Sequence, residues 1–472
     1  MIARFLLNQM IIEDSLRQHE RVLDVVRRNQ QLTGTKEACG EGDCGACQIL
    51  LGELLDNRLH YQAVNACLLP VGAVSGQHIV TVEGLNGPGL NPIQQALVAH
   101  GAIQCGFCTP GLVTALTGFF LNSAVSDESA ALDSVAGNLC RCTGYAGIKR
   151  AIRHLCLHFD LSGSPLENRI TDLIAWNILP GYFADVAPIL SHCSPDDTEV
   201  LQDDALLIAG GTDLFVQKPE NLQNQPLHFL NRTGDMPFIR QQRQHYVIDA
   251  LATVEQLRTS PLLRQSFPNI AEDFKLICSA PVRHRATVGG NLVNASPVAD
   301  LAVFLLALDA VLTIVSGGHA RSVALRDFFT GYKEIDLRAG ERLSDIRFEI
   351  PNSATAFNFE KVSKRPYLDI ASVNTACCIR HTNGRIDKAQ LSAGGVAPFP
   401  LYLAATCNYL QERSIDPETV KAAANIVQDE IAPVSDLRGS VRYKRLLMTQ
   451  LFYAHFLKLF PDRITWEALN GL

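Results

Sequence analysis

The sequence predicts a multidomain α+β protein, and three observations carry that reading. The hydrophobic period changes along the chain, eight of the fourteen cysteines fall into two groups of unlike spacing, and two apolar segments end in paired glycines. At 472 residues, 47% of them hydrophobic, the chain is long enough to bury several cores. Its 41 basic and 48 acidic residues leave a mild negative charge with no basic stripe, which argues against nucleic acid as a partner. No apolar run is long enough to cross a bilayer, so no membrane partner is expected. Met1 leads into Ile2-Ala3-Arg4-Phe5-Leu6-Leu7, which reads as a first strand and not as a signal segment. The expected setting is soluble, reducing and cytoplasmic, where spaced cysteines more often bind metal or do redox work than form disulfides.

Residues 1–82 alternate short apolar runs with turns: 2–7, a helix over 22–29, a cysteine loop, 48–51 and 78–82. This pattern suits a small β-grasp, ferredoxin-like domain. Its loop, Ala38-Cys39-Gly40-Glu41-Gly42-Asp43-Cys44-Gly45-Ala46-Cys47, followed by Cys67, has the C-x4-C-x2-C…C spacing of a plant-type 2Fe-2S site. Gly40, Gly42 and Gly45 let such a loop turn its N–H groups toward sulfur with φ > 0. Zinc is the alternative for four thiolates, although zinc motifs usually pair two C-x-x-C knuckles.

Over 83–158 the period lengthens. Pro92-Ile93-Gln94-Gln95-Ala96-Leu97-Val98-Ala99 and Pro110-Gly111-Leu112-Val113-Thr114-Ala115-Leu116 read as helices opened by proline. Cys105 and Cys108 precede the second of these, and Cys140 and Cys142 precede a further helix over 148–157. Helix N-termini carry partial positive charge, which favours an anionic iron-sulfur cluster there, while the spacing alone leaves zinc open. Residues 159–179 are expected to be a linker, with linker composition over 161–168 and again around Ser194 to Thr198.

The span 180–354 contains the two glycine loops. In Leu206-Leu207-Ile208-Ala209-Gly210-Gly211-Thr212-Asp213-Leu214 a strand run ends where backbone N–H groups and a hydroxyl can meet a pyrophosphate; an ordinary turn is the alternative. The second loop, Arg283-His284-Arg285-Ala286-Thr287-Val288-Gly289-Gly290-Asn291-Leu292, runs on to Ser296-Pro297 and Asp300. It offers short polar groups and an anionic acceptor suited to a ribose, or equally a polar turn with a helix cap. Residues 355–472 read as a C-terminal α+β domain that closes on a plain helical pattern.

Several of these segments share a resemblance. Lys36-Glu37-Ala38-Cys39-Gly40-Glu41-Gly42-Asp43-Cys44-Gly45-Ala46-Cys47 is similar to the first iron-sulfur domain of the molybdenum hydroxylases. Gln104-Cys105-Gly106-Phe107-Cys108-Thr109-Pro110-Gly111 and Asn138-Leu139-Cys140-Arg141-Cys142-Thr143-Gly144-Tyr145 are similar to the second. The glycine loops resemble that family's FAD domain. Its C-terminal flavoprotein domain is resembled by Phe359-Glu360-Lys361-Val362-Ser363-Lys364-Arg365 with Asp369-Ile370-Ala371, and by Gly394-Gly395-Val396-Ala397-Pro398. The resemblance implies two 2Fe-2S clusters, one on Cys39, Cys44, Cys47 and Cys67, the other on Cys105, Cys108, Cys140 and Cys142. It implies FAD held by Gly210, Gly211, Thr212, Asp213, Thr287, Gly290, Asn291 and Asp300, with Lys361 near the flavin. For Lys361 and Arg365 a solvated strand edge is the alternative.

Three departures from the family pattern stand out. Ala146-Gly147 replaces a bulkier residue followed by proline, Pro281 stands where glutamine is common, and Asp249 stands where a glycine often precedes Ala-x-x-Thr, with Thr253 retained. The order of parts resembles the small subunit of the bacterial xanthine dehydrogenase branch. That implies electron transfer from a molybdenum cofactor on a large partner subunit, in a heterotetramer of two small and two large chains. The electrons would pass through both clusters to FAD and then to NAD while hypoxanthine and xanthine are oxidised to urate, with no residue of this chain catalytic toward the purine. The same module would also suit an aldehyde or N-heterocycle hydroxylase, and the zinc reading leaves a non-catalytic interaction protein. Cys156, Cys193, Cys278, Cys377, Cys378 and Cys407 lack a ligand spacing and are expected to pack as small apolar groups.

Overall fold

In the computed structural model, the apolar alternation of Ile2–Leu7 sends Ala3, Phe5 and Leu7 into one core and Leu6 into another, as a strand buried on both faces requires. The structure describes residues 2–193, 205–230, 236–365 and 367–470; the linker-like stretch around Ser194 to Thr198 lies outside them. The chain folds as two units, residues 1–230 with 279–285, and residues 231–278 with 286–472.

In the first unit a five-stranded sheet runs in the order Met10–Ser15, Ile2–Leu7, His78–Val80, Gln48–Leu55, Arg58–Asn65. Ile2–Leu7 pairs in parallel with His78–Val80 and every other pairing is antiparallel, the β-grasp arrangement. The helix expected over 22–29 is present as a turn of α-helix, Val22–Asp24, that widens into a π-helix, Val25–Asn29, and buries Val22, Leu23, Val25 and Val26. Four helices follow: Pro92–Ala99, Thr109–Asn122, Glu128–Ser134 and Ala146–His158. The first is opened by a capping box in which the Asn91 side chain accepts from Gln94 N and the Gln94 side chain accepts from Asn91 N. The second is buried from Gly111 to Leu121, so it forms the axis around which the other helices pack.

The segment expected to be a linker, 159–179, is packed. Leu161, Leu173, Ile178 and Leu179 join the helical core. Arg169, 2% exposed, donates to the carbonyls of Phe120, Ser123 and Ser164, so a residue that reads as solvent-facing ties off the end of the central helix. The parallel strands Leu206–Ile208 and Leu227–Phe229 also bury their apolar residues in the first unit's sheet core, where the Phe229 ring lies against Gly72. Burial therefore cuts across the 180–354 span: 205–230 and 279–285 fold with the first unit.

Among the described residues the second unit holds two larger antiparallel sheets besides the two-stranded pair Phe329–Gly331 and Glu334–Ile335. One runs His319–Ala324, Val311–Ser316, Arg342–Glu349, His245–Asp249, Ile239–Gln242; the other runs Thr355–Val362, Val373–Thr382, Arg385–Gly394, Leu401–Tyr402. The wholly buried helix Asp300–Leu306 packs against the second sheet, where Ser392 Oγ donates to Val303 O at 2.6 Å. Pro417–Glu430 and the long helix Val441–Leu459 complete this core, in keeping with the helical pattern of the chain's end. The architecture is thus the mixed, multidomain α+β one expected, and among the described residues no helix is long and apolar enough to cross a membrane.

Candidate electron-transfer sites

The first cysteine group is gathered by a loop that only glycines allow. Gly40, Gly42 and Gly45 take φ of +72°, +80° and +68°, left-handed values that cost other residues about 1–2 kcal/mol each. A Cβ on Gly42 would stand 2.6 Å from Leu68 Cδ1, and one on Gly45 would stand 2.4 Å from Gly137 O. A Cβ on Gly40 would meet no atom within 4 Å, so that face of the loop is free for a ligand's approach. Cys67 comes from the turn Ala66–Leu68 that ends the sheet, and it and Cys47 are buried. Asn65 braces the cage, its Nδ2 donating to Gly42 O at 2.6 Å.

The second group is gathered at two helix starts. Cys108 immediately precedes Thr109–Asn122, and Cys140 and Cys142 lie just before Ala146–His158. Cys105 and Cys142 Sγ stand 3.5 Å apart and both are exposed. Tyr145 adopts a left-handed φ of +64° at the cap, and its hydroxyl accepts from Cys140 N at 3.1 Å. The Ala146-Gly147 departure leaves the helix start intact. Gly147 packs so closely on the turn at Gly101 that a Cβ would come within 2.4 Å of Gly101 O, a contact no proline could make.

All eight thiols stand in pairs: Cys39 with Cys44, Cys47 with Cys67, Cys105 with Cys142, and Cys108 with Cys140. In each pair one sulfur is held low and the other high. The Cys44 thiol draws Cys39 down to about 5 and is itself pushed up by Cys39. The Cys67 thiol lowers Cys47 and is raised in return. The Phe107 N–H and then Cys142 lower Cys105, while Cys105 raises Cys142. Burial raises Cys108 to about 12; it opposes the lowering of Cys140, which the Thr143 hydroxyl and amide and the Cys108 thiol nevertheless achieve. Each pair therefore couples one thiol held low to one held high. Two sulfurs per metal is the donor set of a two-iron cluster, whereas a lone zinc needs its ligands around one point.

The two cages touch. Leu139 N donates to Cys44 O at 3.0 Å, which joins the residue before Cys140 to a member of the first cage. Asn138 Nδ2 donates to Gly45 O at 3.2 Å and to Gln48 Oε1 at 2.7 Å, and a Cβ on Gly111 would stand 2.1 Å from Gly45 O. Asn138 is a positioning residue whose motif was quoted from sequence but whose role was not.

The two glycine loops fall in different units. In the first unit Gly211 has φ +75° and turns the chain from the strand into the short helix Leu214–Gln217, leaving Thr212 and Asp213 half-buried. In the second unit Thr287 caps the helix Val288–Val293, its Oγ1 accepting from Gly290 N at 3.1 Å. The paired glycines divide their work. Gly289 packs on Ala250, where a Cβ would lie 2.9 Å from Ala250 O; a Cβ on Gly290 would meet only Thr287 Oγ1 within 4 Å. Asn291 Oδ1 is buried without a hydrogen-bond partner, so it can accept from a ligand hydroxyl or amide. Gly290 and Asn291 therefore fit a polar ligand such as a dinucleotide.

Asp300 and Lys361 differ from expectation. Lys361 Nζ, on a side chain 2% exposed, donates to Asp300 Oδ2 at 2.7 Å and to Leu276 O at 2.5 Å, so it is not a solvated strand edge. Asn374 Nδ2 donates to the other Asp300 oxygen at 2.5 Å. Burial pushes the Asp300 carboxyl up in spite of Lys361. Asp300 thus already has a donor on each oxygen from within the fold. Asn374 was missed; a wholly buried amide within the apolar run Val373-Asn374-Thr375-Ala376-Cys377 was the available signal. Of the six other cysteines, Cys193, Cys377, Cys378 and Cys407 are buried, and Cys156 and Cys278 are half-buried.

Four family models match the chain in order. Residues 9–72 match the 2Fe-2S iron-sulfur cluster binding domain and 81–153 the [2Fe-2S] binding domain. Residues 180–353 match the FAD binding domain in molybdopterin dehydrogenase, and 358–459 the CO dehydrogenase flavoprotein C-terminal domain. Xanthine dehydrogenase 1 of Arabidopsis thaliana is 27% identical over 93% of this chain and 38% of its own length. Aldehyde oxidase 2 of Cavia porcellus is 26% identical over the same shares. The chain thus spans under half the length of these curated relatives. A solved carbon monoxide dehydrogenase of Hydrogenophaga pseudoflava, one lacking the Mo-pyranopterin moiety of its molybdenum cofactor, is 27% identical with a TM-score of 0.52, over 56% of this chain and 92% of that one. Thiols gathered by pairs, glycine loops open to a ligand, and four matches in unbroken order make this a chain of 2Fe-2S, FAD-binding and flavoprotein C-terminal domains, similar in sequence to the molybdenum hydroxylases.

Proposed function

We propose that the chain passes electrons from a molybdenum-cofactor subunit to NAD as the small subunit of a xanthine dehydrogenase acting on hypoxanthine and xanthine. The observation that supports this reading is the joint between the cages, where Leu139 N donates to Cys44 O and ties the two cysteine groups together. When bound, iron-sulfur clusters exchange single electrons and a flavin exchanges one or two, so together they couple a two-electron oxidation to hydride transfer. Cys39, Cys44, Cys47 and Cys67 would hold the first cluster, and Cys105, Cys108, Cys140 and Cys142 the second. Gly210, Gly211, Thr212, Asp213, Thr287, Gly290 and Asn291 would hold FAD. Lys361 and Asp300 would keep the Asp300 helix seated on the C-terminal sheet. Cys105 and Cys142, the two exposed sulfurs of the second group, suit the face toward the large subunit.

A second reading, the same module in an aldehyde hydroxylase, draws on the aldehyde oxidase, which is similar to this chain to nearly the same degree. Purification with the partner subunit followed by assay decides between them. NAD reduction driven by hypoxanthine or xanthine, and not by aldehydes, supports the purine reading; the reverse preference overturns it. In the same complex Gly211→Val should abolish flavin content and NAD reduction while iron content stays unchanged, because a side chain at φ +75° blocks the backbone approach. Full NAD-linked activity without flavin would defeat the proposal.

A further inference from the structure

One sulfur of the second cysteine group has a hydroxyl beside it. Thr143 Oγ1 lies 3.1 Å from Cys140 Sγ and accepts from Tyr145 N at 3.3 Å. The Tyr145 amide thus occupies a lone pair of the hydroxyl oxygen and leaves its hydrogen free for the sulfur. We propose that Thr143 is a positioning residue for electron transfer: its hydroxyl donates to the Cys140 thiolate and raises the reduction potential of the cluster held by the second cysteine group. The inference rests on the reading that Cys105, Cys108, Cys140 and Cys142 hold a 2Fe-2S cluster.

The direction of this bond follows from the chemistry of the ligand. A metal-bound thiolate has no hydrogen and can only accept, whereas the hydroxyl can give one. Its place favours a measurable effect. Cys140 is the buried sulfur of its group, while Cys105 and Cys142 are open to water, so Cys140 is where a protein donor meets least competition from solvent. The backbone is bent to make the contact. Tyr145 takes φ +64°, a left-handed value unfavourable to a residue with a side chain, and from there its amide reaches Thr143 Oγ1 while its hydroxyl accepts from Cys140 N at 3.1 Å. Thr143 and Tyr145 therefore close on Cys140 together, one at the sulfur and the other at the main chain. In the first cage Cys39 Sγ accepts instead from a main-chain amide, Glu41 N, at the longer distance of 3.4 Å. A donor aimed at a ligand sulfur stabilises the more negative, reduced state of a cluster more than the oxidised one, and the potential rises accordingly.

The test is a redox titration followed by electron paramagnetic resonance on the full chain as purified with its iron, beside Thr143→Val, which keeps the shape and loses the hydroxyl, and Thr143→Ser, which keeps the hydroxyl. In Thr143→Val the signal that Cys142→Ser removes should have a lower midpoint. The expected fall is about three- to tenfold in the equilibrium constant for reduction, roughly 30 to 59 mV for one electron. The other signal should keep its midpoint, and Thr143→Ser should restore most of the shift. Unchanged midpoints in Thr143→Val overturn the proposal, as does movement of the other signal alone. An equal fall in Thr143→Ser also overturns it, because the shift would then not belong to the hydroxyl. Should Thr143→Val lose iron, Thr143→Ala supplies the same comparison with no carbon in the hydroxyl's place; iron lost from both would make Thr143 a structural part of the loop and sink the assignment. Wild-type chain that holds no iron on the second cysteine group would instead defeat the cluster reading itself, and the inference with it.

Discussion

In the first unit eight thiols meet only as pairs, and the glycines beside them, Gly40, Gly106 and Gly144, would carry a Cβ without meeting any atom within 4 Å. In the second unit the polar groups answer one another: Lys361 to Asp300, Asn374 to Asp300, and the Thr287 hydroxyl to the Gly290 amide. The difference separates two ways of building a cofactor site. One folds around ligands whose bonds only an added group can complete. The other closes its own polar network and leaves a few atoms, such as Asn291 Oδ1, for the guest. The first unit should therefore depend on its occupant for stability far more than the second does.

The largest effect should come from the buried sulfurs. Cys67→Ser should remove about two irons per chain and one paramagnetic signal, and should also lower the unfolding midpoint of the first unit, because Cys67 sits 2% exposed beneath the sheet. Cys142→Ser, at the surface, should remove as much iron with little change in that midpoint. Equal destabilisation by both, measured by calorimetry and iron analysis, would break the comparison.

Next in size is the closed network of the second unit. Lys361→Met should cost about 3 kcal/mol, because it leaves Asp300 buried without its counter-charge, and adding Asp300→Asn should recover much of the loss. Urea unfolding of the single and double variants measures this. A double variant no better than the single would show that Lys361 works through another contact.

Acid should strain both units alike. His78 in the first unit and His455 in the second are fully buried, and burial lowers them to about 4 and about 3. Both rings are saturated as neutral groups. His78 donates from Nε2 to Asn8 O and accepts from the Tyr61 hydroxyl, while His455 bonds Thr375 and Asn358. Below the unfolded value of about 6.5 the unfolded chain takes up a proton that the folded ring refuses. Stability present at neutral pH is thus lost as pH falls toward each folded value, by about 2 kcal/mol per histidine at pH 5. Denaturation curves at pH 7 and pH 5 should show the loss, and His455→Gln should reduce it. A flat profile would mean that the rings are charged within the fold.

The smallest effect belongs to the guest's own contact. Asn291→Ala should weaken FAD retention about tenfold or less, the worth of one hydrogen bond, with no loss of iron. Flavin fluorescence after dialysis reads it directly.

Much of the first unit was legible in the sequence because its signals are local. The cysteine spacings, the glycines between them and the proline-opened helix Pro92–Ala99 each depend on residues a few positions apart. The missed features are long-range pairings. Lys361 and Asp300 are 61 residues apart and Asn374 and Asp300 are 74, so no window along the chain holds both partners. Arg169 was obscured differently: an arginine in polar surroundings reads as solvated, and only the folded chain brings four carbonyls to it. The fate of 205–230 was hidden for a similar reason, since Ile208, Phe215 and Phe229 declare that they are buried without declaring against what.

The joint between the cages belongs to the main chain. Leu139 gives its amide hydrogen and Cys44 its carbonyl, so neither side chain takes part in the bond. Nineteen of the twenty amino acids supply that hydrogen at position 139; proline alone withholds it. The connection is thus inherited through backbone geometry, and substitutions can drift at position 139 without parting the two sites. An alignment scored by residue identity would pass over the position, although a Leu139→Pro change would cut the link that no other replacement there removes.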